Sequence, residues 1–551
     1  MNRAEAIASL TAPGQTYELE VVETARGPVR AFRNAPPSLR ALFEATASDR
    51  PFIVYEDERY TFRETYVRAA RTARLLVDEY GIGAGERVAI SMRNFPEWIT
   101  AFMAVTSLSA IAVAMNALWQ PEEMEYGLAD SGARVLFADE ERVARLRNIT
   151  TDIAIVPVRT SANTLAELLA PISECEMPDA TIAPDDPATI FYTSGSTGNP
   201  KGVVSTHRNV VSALLSWELD TFAAARVARG DAKPPERTGR KVQDAALLAV
   251  PLFHVTGSHA VYLSSYRAQR KLVCMYKWDP DVAAELIERE QVNSFIAPPA
   301  MTGDLVRLAT TSKRDLSSLR VVGGGGAPRA PEQVRQIDAS FEKVAPNTGW
   351  GMTETNAIGA GISGTDYVDH PASSGRCSAV LDLRVVDDTG MPCERGELQV
   401  RGASVFAGYW NRPDVDAEVF DDGWFRTGDV AYLDADGYVF IVDRIKDLII
   451  RGGENIGCGH VEAALLMHPD VHEVAVYAVP DDRLGEEVGA TIHATAGLDI
   501  DALREFLAQH LARFEVPRYI TTSAAPLPRI ASGKIFKRQL RDEAVASITA
   551  R

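Results

Sequence analysis

The feature that most restricts how this chain can fold is a repeated switch of hydrophobic period between Arg87 and Val322. Short apolar or β-branched runs at Arg87–Ser91, Arg134–Phe137, Ile153–Val156, Thr189–Tyr192, Ala246–Val250, Asn293–Ala297 and Leu319–Val322 alternate with stretches of helical spacing. Strands separated by helices pair in parallel, because the return to the same end of a sheet needs a long crossover, and the helices then cover the faces. The helix between the first two runs is expected to start at Pro96, with Asn94 as its cap. Ala101–Trp119 is the most membrane-like stretch, but Thr106, Ser107, Ser109 and Asn116 interrupt it. It reads as a buried helix running into a strand, so no transmembrane segment is expected.

The pattern changes from about Cys377 to hairpin-like strands with turn signals at Asp388-Thr389-Gly390 and Asp436-Gly437. That suggests a small antiparallel barrel or sheet appended to the parallel layers. After Asp443-Arg444 the chain reads as a small α+β unit: a helix from about Val461, a strand near Val474–Val479, a helix from Asp501, then a polar tail. A length of 551 residues exceeds what one core usually organises. The expected fold class is therefore α/β, with an N-terminal domain over 1–443, its antiparallel part at about 377–443, and a C-terminal α+β domain over 444–551. The stretch from Phe222 to Asp244 shows neither period and reads as a solvated surface loop.

A net charge of −18 excludes a sequence-independent grip on nucleic acid or an anionic membrane, so any polyanionic ligand must meet local positive charge. Cys175, Cys274, Cys377, Cys393 and Cys458 lie far apart, without metal-ligand spacing, and read as free thiols of a reducing compartment. The N-terminal segment lacks a continuous apolar signal region, which makes the cytoplasm the expected location.

The strongest chemical signal is Tyr192-Thr193-Ser194-Gly195-Ser196-Thr197-Gly198-Asn199-Pro200-Lys201-Gly202, directly after an apolar strand. Small hydroxyl and glycine residues let backbone N–H groups close around phosphate oxygens, and a lysine supplies charge. It is not a Walker loop, since no Ser or Thr follows Lys201 and the glycine spacing differs. This segment resembles the phosphate-binding signature of the adenylate-forming superfamily, which includes acyl-CoA synthetases, aryl-CoA ligases, beetle luciferases and peptide-synthetase adenylation domains. The resemblance recurs in order along the chain: Pro251–Gly257 is similar to the family's substrate gate, Gly349–Glu354 to its nucleotide motif, Gly423–Asp429 to its ribose motif, Asp443–Asp447 to its hinge and Pro528–Lys534 to its catalytic-lysine loop.

The resemblance implies an acid–thiol ligase of acyl-CoA synthetase type, with ATP and Mg²⁺ as cofactors, CoA as co-substrate and a place in fatty acid metabolism. By motif position, Thr193, Ser194, Gly195, Ser196, Thr197, Gly198 and Lys201 would cradle the β- and γ-phosphates, and Glu354 would help hold Mg²⁺. Gly325, Ala327, Pro328, Trp350, Gly351, Met352 and Thr353 would frame the nucleotide. Asp429 offers two acceptor oxygens to a ribose diol, and Arg444 a fixed positive fork beside it. Lys534, on a mobile small domain, would bridge the carboxylate and α-phosphate; Glu354, Thr193 and His254 complete the catalytic candidates. Lys446 would sit at the pivot of a rotation that brings Gly452 and Gly453 to the thiol tunnel.

By the same resemblance the acyl pocket would draw on His254, Val255, Pro299, Ala300, Gly325 and Trp350. Because these are mostly apolar or small, a hydrophobic acid is expected: a medium- or long-chain fatty acid or an arylalkanoic acid. An amino acid is not, since Phe253-His254 stands where the family's amino-acid members carry Asp. Four glycines, Gly323–Gly326, would leave backbone free to lie flat against adenine and the acyl carbonyl. Trp350 replaces the more usual Tyr, and Ile456-Gly457-Cys458-Gly459-His460 departs from the family pattern in the loop expected to touch CoA. An adenylating enzyme with another acceptor, an amine or a carrier protein, stays open, as does a homodimer.

Overall fold

The computed structural model describes residues 1–149, 151–162, 164–193, 199–230, 242–327, 329–452, 454–530 and 533–549. Two sheets form the body. In the first, seven strands lie in the order Gly408–Tyr409, Lys201–Thr206, Pro187–Thr193, Ile111–Ala114, Arg87–Ser91, Val135–Asp139, Ala154–Val158. The last five are parallel, as the alternating pattern requires. Lys201–Thr206 instead returns antiparallel to Pro187–Thr193, so the phosphate-loop segment joins the arms of a hairpin.

The second sheet carries Pro51–Tyr55, Lys271–Cys274, Ala245–Leu248, Ser294–Ile296, Val321–Gly323 and Ala345–Trp350 as parallel neighbours. Direction reverses at Ala360–Ser363, earlier than the Cys377 expected from the turn signals. The connection from Trp350 to Ala360 is too short to hold a crossover helix, so the next strand can only come back antiparallel. The hairpins around Gly390 and Gly437 follow, but their strands extend the same fourteen-stranded sheet. Among the described residues no ladder closes Leu381–Val386 onto Gly375–Cys377, so an extended sheet stands where a closed barrel was one of the two expectations.

Three other local expectations change. Phe95, not Asn94, precedes the helix Pro96–Thr106, which has no side-chain cap. The buried Asn94 amide turns away, donates to Val250 O at 3.1 Å and accepts from Leu252 N at 2.9 Å, tying the first sheet to the gate segment. The helix His207–Arg229 takes over the start of the supposed Phe222–Asp244 loop. Thr206 and Asn209 close a capping box at its start, and Leu215, Leu219 and Ala223 bury one face through to its last turns. Residues 231–241 of that stretch lie outside the described residues. The polar tail forms a helix, Lys537–Thr549, whose Leu540 and Ala544 pack on Ala475, Tyr477 and Val479.

After the single 3₁₀ turn Ile445–Asp447 the chain enters a separate five-stranded sheet with its own core of Ile449, Val461, Leu465, Val476, Val488, Leu503 and Leu507. This C-terminal unit reaches the carboxyl ends of Ser294–Ile296 and Val321–Gly323, where Gly533 lies near Pro298 and Met301 and Lys534 near Gly326. No helix among the described residues is long and apolar enough to cross a membrane, and all five cysteines are free thiols.

Leu540→Ala should destabilise the C-terminal unit by about 2–4 kcal/mol, because it deletes a buried side chain without a way to refill the space. A urea titration followed by circular dichroism checks this, with Leu540→Met expected to stay within about 1.5 kcal/mol of the parent.

Candidate active site

A single cleft of about 3150 Å³ separates the body from the C-terminal unit and collects nearly every residue singled out by the motifs. On the side expected to take the phosphates stand Thr193 and Lys201, paired across the hairpin, with Thr193 Oγ1 donating to Lys201 O at 3.4 Å. Ser194, Gly195, Ser196, Thr197 and Gly198 between them, with Pro328 and Gly453 elsewhere, lie outside the described residues. Lys201 Nζ is 5.4 Å from the centroid of the Tyr409 ring, an electrostatic contact that holds the ammonium over the aromatic face. The Tyr409 hydroxyl donates to Glu354 Oε1 at 2.8 Å. Glu354 is buried, and loss of hydration pushes its carboxyl above the ordinary range despite the Tyr409 hydrogen bond and Arg444. Such a carboxylate gains from any cation brought to it.

The side expected to take the ribose is built on Asp429. Its Oδ2 accepts the Trp350 indole N–H at 2.7 Å, and its Oδ1 forms an ion pair with the Arg444 guanidinium, Nε standing 2.7 Å away. Burial raises the Asp429 carboxyl even with Arg444 beside it. A carboxylate offers about four lone-pair positions, so two remain for a diol. Gly351, Met352 and Thr353 line the cleft next to Trp350, as do Gly325 and Ala327 opposite. A side chain at Gly323, Gly324 or Gly325 would strike the backbone of Asn347, Ala297 or Gly349 at 2.7 Å or less. These three glycines are thus required by neighbouring strands, whereas Gly326 opens onto the cleft, with φ of +92°.

Lys534 reaches the same place from the other side. Its Cε lies 3.5 Å from where a Cβ of Gly326 would stand, and the lysine feels Arg444, Asp429 and His254. Its head stays open to the water of the cleft, yet protein surrounds it, and burial followed by Arg444 lowers its pKa. The loop that presents it is tied by Ile530 N–H to Lys534 O at 2.8 Å and by Phe536 N–H to Pro528 O at 2.7 Å. Buried Glu473 anchors the loop's start by accepting from Leu527 N–H and the Arg529 guanidinium. Lys446, also on the cleft, has its pKa lowered by burial and by Arg444. Gly452 does not line the cleft; it turns at φ +59° against Leu484 on the C-terminal unit.

His254, Val255, Pro299 and Ala300, expected on the acyl side, line the same cleft as Trp350 and Gly325. His254 Nε2 is buried with no hydrogen-bond partner among the described residues, and burial plus Lys534 drives the imidazole down to about 4, so it is neutral at physiological pH. Directly after it the chain forms a π-helical stretch, Thr256–Leu263, a geometry often found at functional sites. Its His259, also lowered to about 4 by burial, accepts the Ser258 hydroxyl at Nδ1 and donates from Nε2 to Asn356 Oδ1 at 3.1 Å. Tyr409, Asn94, His259, Asn356 and Glu473 carry no motif of their own. Their contacts span 54 to 158 positions of sequence, so no local pattern could have found them.

The models of two families match the chain: AMP-binding enzyme over residues 41–410 and AMP-binding enzyme C-terminal domain over 460–534. It is 32% identical to 4-coumarate–CoA ligase 2 of Oryza sativa subsp. japonica, over 88% of this chain and 88% of the rice protein. It is likewise 32% identical to a long-chain-fatty-acid–CoA ligase of Mycobacterium tuberculosis, over 89% of this chain and 94% of that one. Among solved structures, o-succinylbenzoate coenzyme A synthetase of Bacillus subtilis in complex with ATP and magnesium ion superposes with a TM-score of 0.75 at 28% identity, covering 91% of this chain and 99% of that one.

Asn94→Ala removes both bonds that hold Val250 and Leu252. It should lower stability by about 1–3 kcal/mol, read from the urea midpoint, because it leaves a buried carbonyl and a buried N–H without partners.

Proposed function

The chain belongs to the AMP-binding enzyme family, and on that premise we propose that it activates a hydrophobic carboxylic acid, a medium- or long-chain fatty or arylalkanoic acid, as its acyl-adenylate and passes the acyl group to CoA. It is an AMP-forming acid–CoA ligase, a mixed α/β protein with a large N-terminal domain and a C-terminal domain. The observation that carries the finer reading is Lys534 projecting from the C-terminal unit to Gly326, between Arg444 and Asp429 and beside the apolar acyl side of the cleft. The relatives named above act on a hydroxycinnamate and on long-chain fatty acids, both acids with apolar bodies.

In this reading a carboxylate oxygen attacks the α-phosphorus of ATP, the P–O bond to pyrophosphate breaks, and acyl-AMP forms. Two like charges must approach, so fixed cations are needed where charge accumulates. Lys534 and Arg444 supply them at the α-phosphate and ribose, and Lys201 at the pyrophosphate. Glu354 keeps acceptor capacity beyond its Tyr409 bond, and its buried carboxylate fits a hard cation that also takes phosphate oxygens. Mg²⁺ held there would spread the charge of the departing pyrophosphate. Neutral His254, with a bare nitrogen, leaves the acyl side uncharged.

The CoA sulfur then attacks the acyl carbonyl, the bond to the AMP oxygen breaks, and the thiol proton is released. Lys534 obstructs that approach, so the unit 444–551 must turn against 1–443. Ile445–Asp447, a single turn between two sheets, is the natural pivot, with Lys446 on it. The turn would bring Gly452 from its place outside the cleft toward the thiol.

Pyrophosphate and AMP release across a panel of acids, each with and without CoA, tests this. An apolar acid should give CoA-dependent AMP; release unaffected by CoA would point to an amine or carrier protein as acceptor instead. Lys534→Ala should slow adenylation by about 10²–10³-fold while thioester formation from supplied acyl-adenylate is largely kept. Because the Lys534 pKa lies below the ordinary 10.5, its charge is lost earlier as pH rises. Adenylation should therefore fall on the alkaline side before an ordinary lysine would titrate, in a stopped-flow pH profile.

A further inference from the structure

Past the acyl carbonyl the cleft continues between two helical walls and a sheet face. One wall presents Thr256, Ala260, Ser264 and Ala268, four residues apart and so about one helical turn each. The other, on His207–Arg229, presents Leu214, Trp217, Thr221, Ala225 and Ala228. The floor runs from Ile296, near the carboxyl ends of the strands, to Ser294 and Asp244 at their opposite ends. The four-residue strand Ala245–Leu248 spans roughly 13 Å, which is room for an extended chain of roughly ten carbons.

This tunnel is small-walled and largely apolar, but its far end is not. Arg50, Arg267 and Arg270 all border the cavity there. Arg267 is paired with Glu218 at 2.6 Å. Arg270 is half-buried, and its guanidinium makes no hydrogen bond or ion pair with any described residue. The carboxylates nearest to it are Asp244, which accepts Asn293 Nδ2–H at 2.6 Å, and Glu218, already held by Arg267. A half-buried guanidinium at the end of an apolar channel is unfavourable unless an anion meets it, and arginine's planar fork matches a carboxylate.

We propose that the tunnel selects acids bearing a second carboxylate at the far end of the chain: α,ω-dicarboxylic acids of roughly ten carbons, whose distal carboxylate pairs with Arg270 while the proximal one is activated. The proposal rests on the acid-activating reading above. It makes Arg270 a specificity-determining residue remote from the chemistry, and it explains why a guanidinium with no hydrogen bond or ion pair among the described residues stands where a simple fatty acid would end in a methyl group.

The test compares kcat/KM for saturated monoacids and the matching α,ω-diacids from about eight to about sixteen carbons, by pyrophosphate release in the presence of CoA. The diacids should be preferred and should show a sharp optimum in length, because the guanidinium stands at a fixed depth; the monoacids should vary smoothly. Arg270→Met should lower kcat/KM for the best diacid by about ten- to hundredfold and leave the monoacids nearly unchanged, with partial recovery in Arg270→Lys. Turnover of monoacids with no diacid preference, or an equal effect of Arg270→Met on both series, would overturn the proposal and leave the ligase reading intact. Absence of pyrophosphate release with every acid would overturn both. The length profile of the unmodified protein decides the matter even if the variants fold poorly.

Discussion

The site depends on one buried carboxylate. Asp429 takes the Trp350 indole N–H on one oxygen and the Arg444 guanidinium on the other, and so joins the last parallel strand, an antiparallel strand and the turn into the C-terminal unit at a single point. Burial alone would favour protonation of Asp429. The indole hydrogen bond and the ion pair keep the ionised form supported, and they orient the aromatic wall and the positive fork relative to each other. A charge-assisted hydrogen bond of this sort is short and directional, which is what a pocket built from distant segments needs.

Around that point the protein sorts charge with care. The chain is acidic overall, yet the cleft gathers Lys201, Arg444, Lys446 and Lys534. Burial and then the neighbouring Arg444 lower the lysines at 446 and 534, while burial raises Glu354. In the proposed reaction a polyphosphate would offset the first effect and a cation the second.

A second network couples the acyl gate to the nucleotide segment. Ser258 and His259 in the π-helical stretch bond through Asn356, two residues after Glu354, to Ser404 O. His259 stays neutral, so the chain of bonds keeps a fixed direction. Asn94 holds the other end of the gate from the first sheet. The gate segment is thus braced by both sheets, and a change in its shape would be felt at Glu354.

The sequence by itself determined the parallel sheets, the order of the chemical segments and the residue types they need, because period and local motif are properties of neighbouring positions. It could not say that the chain reverses at Ala360 rather than Cys377, since that follows from the short link after Trp350 fitting no crossover. Nor could it say that Asn94 serves the gate instead of its helix, that the tail folds back as a helix on Tyr477, or that the glycines before Gly326 answer to neighbouring strands. Tyr409 beside Glu354, Glu473 beneath the lysine loop and Arg270 at the end of the tunnel meet their surroundings only after folding. Their roles come from distance and burial, which act between residues far apart in the chain, and only the tertiary structure decides those.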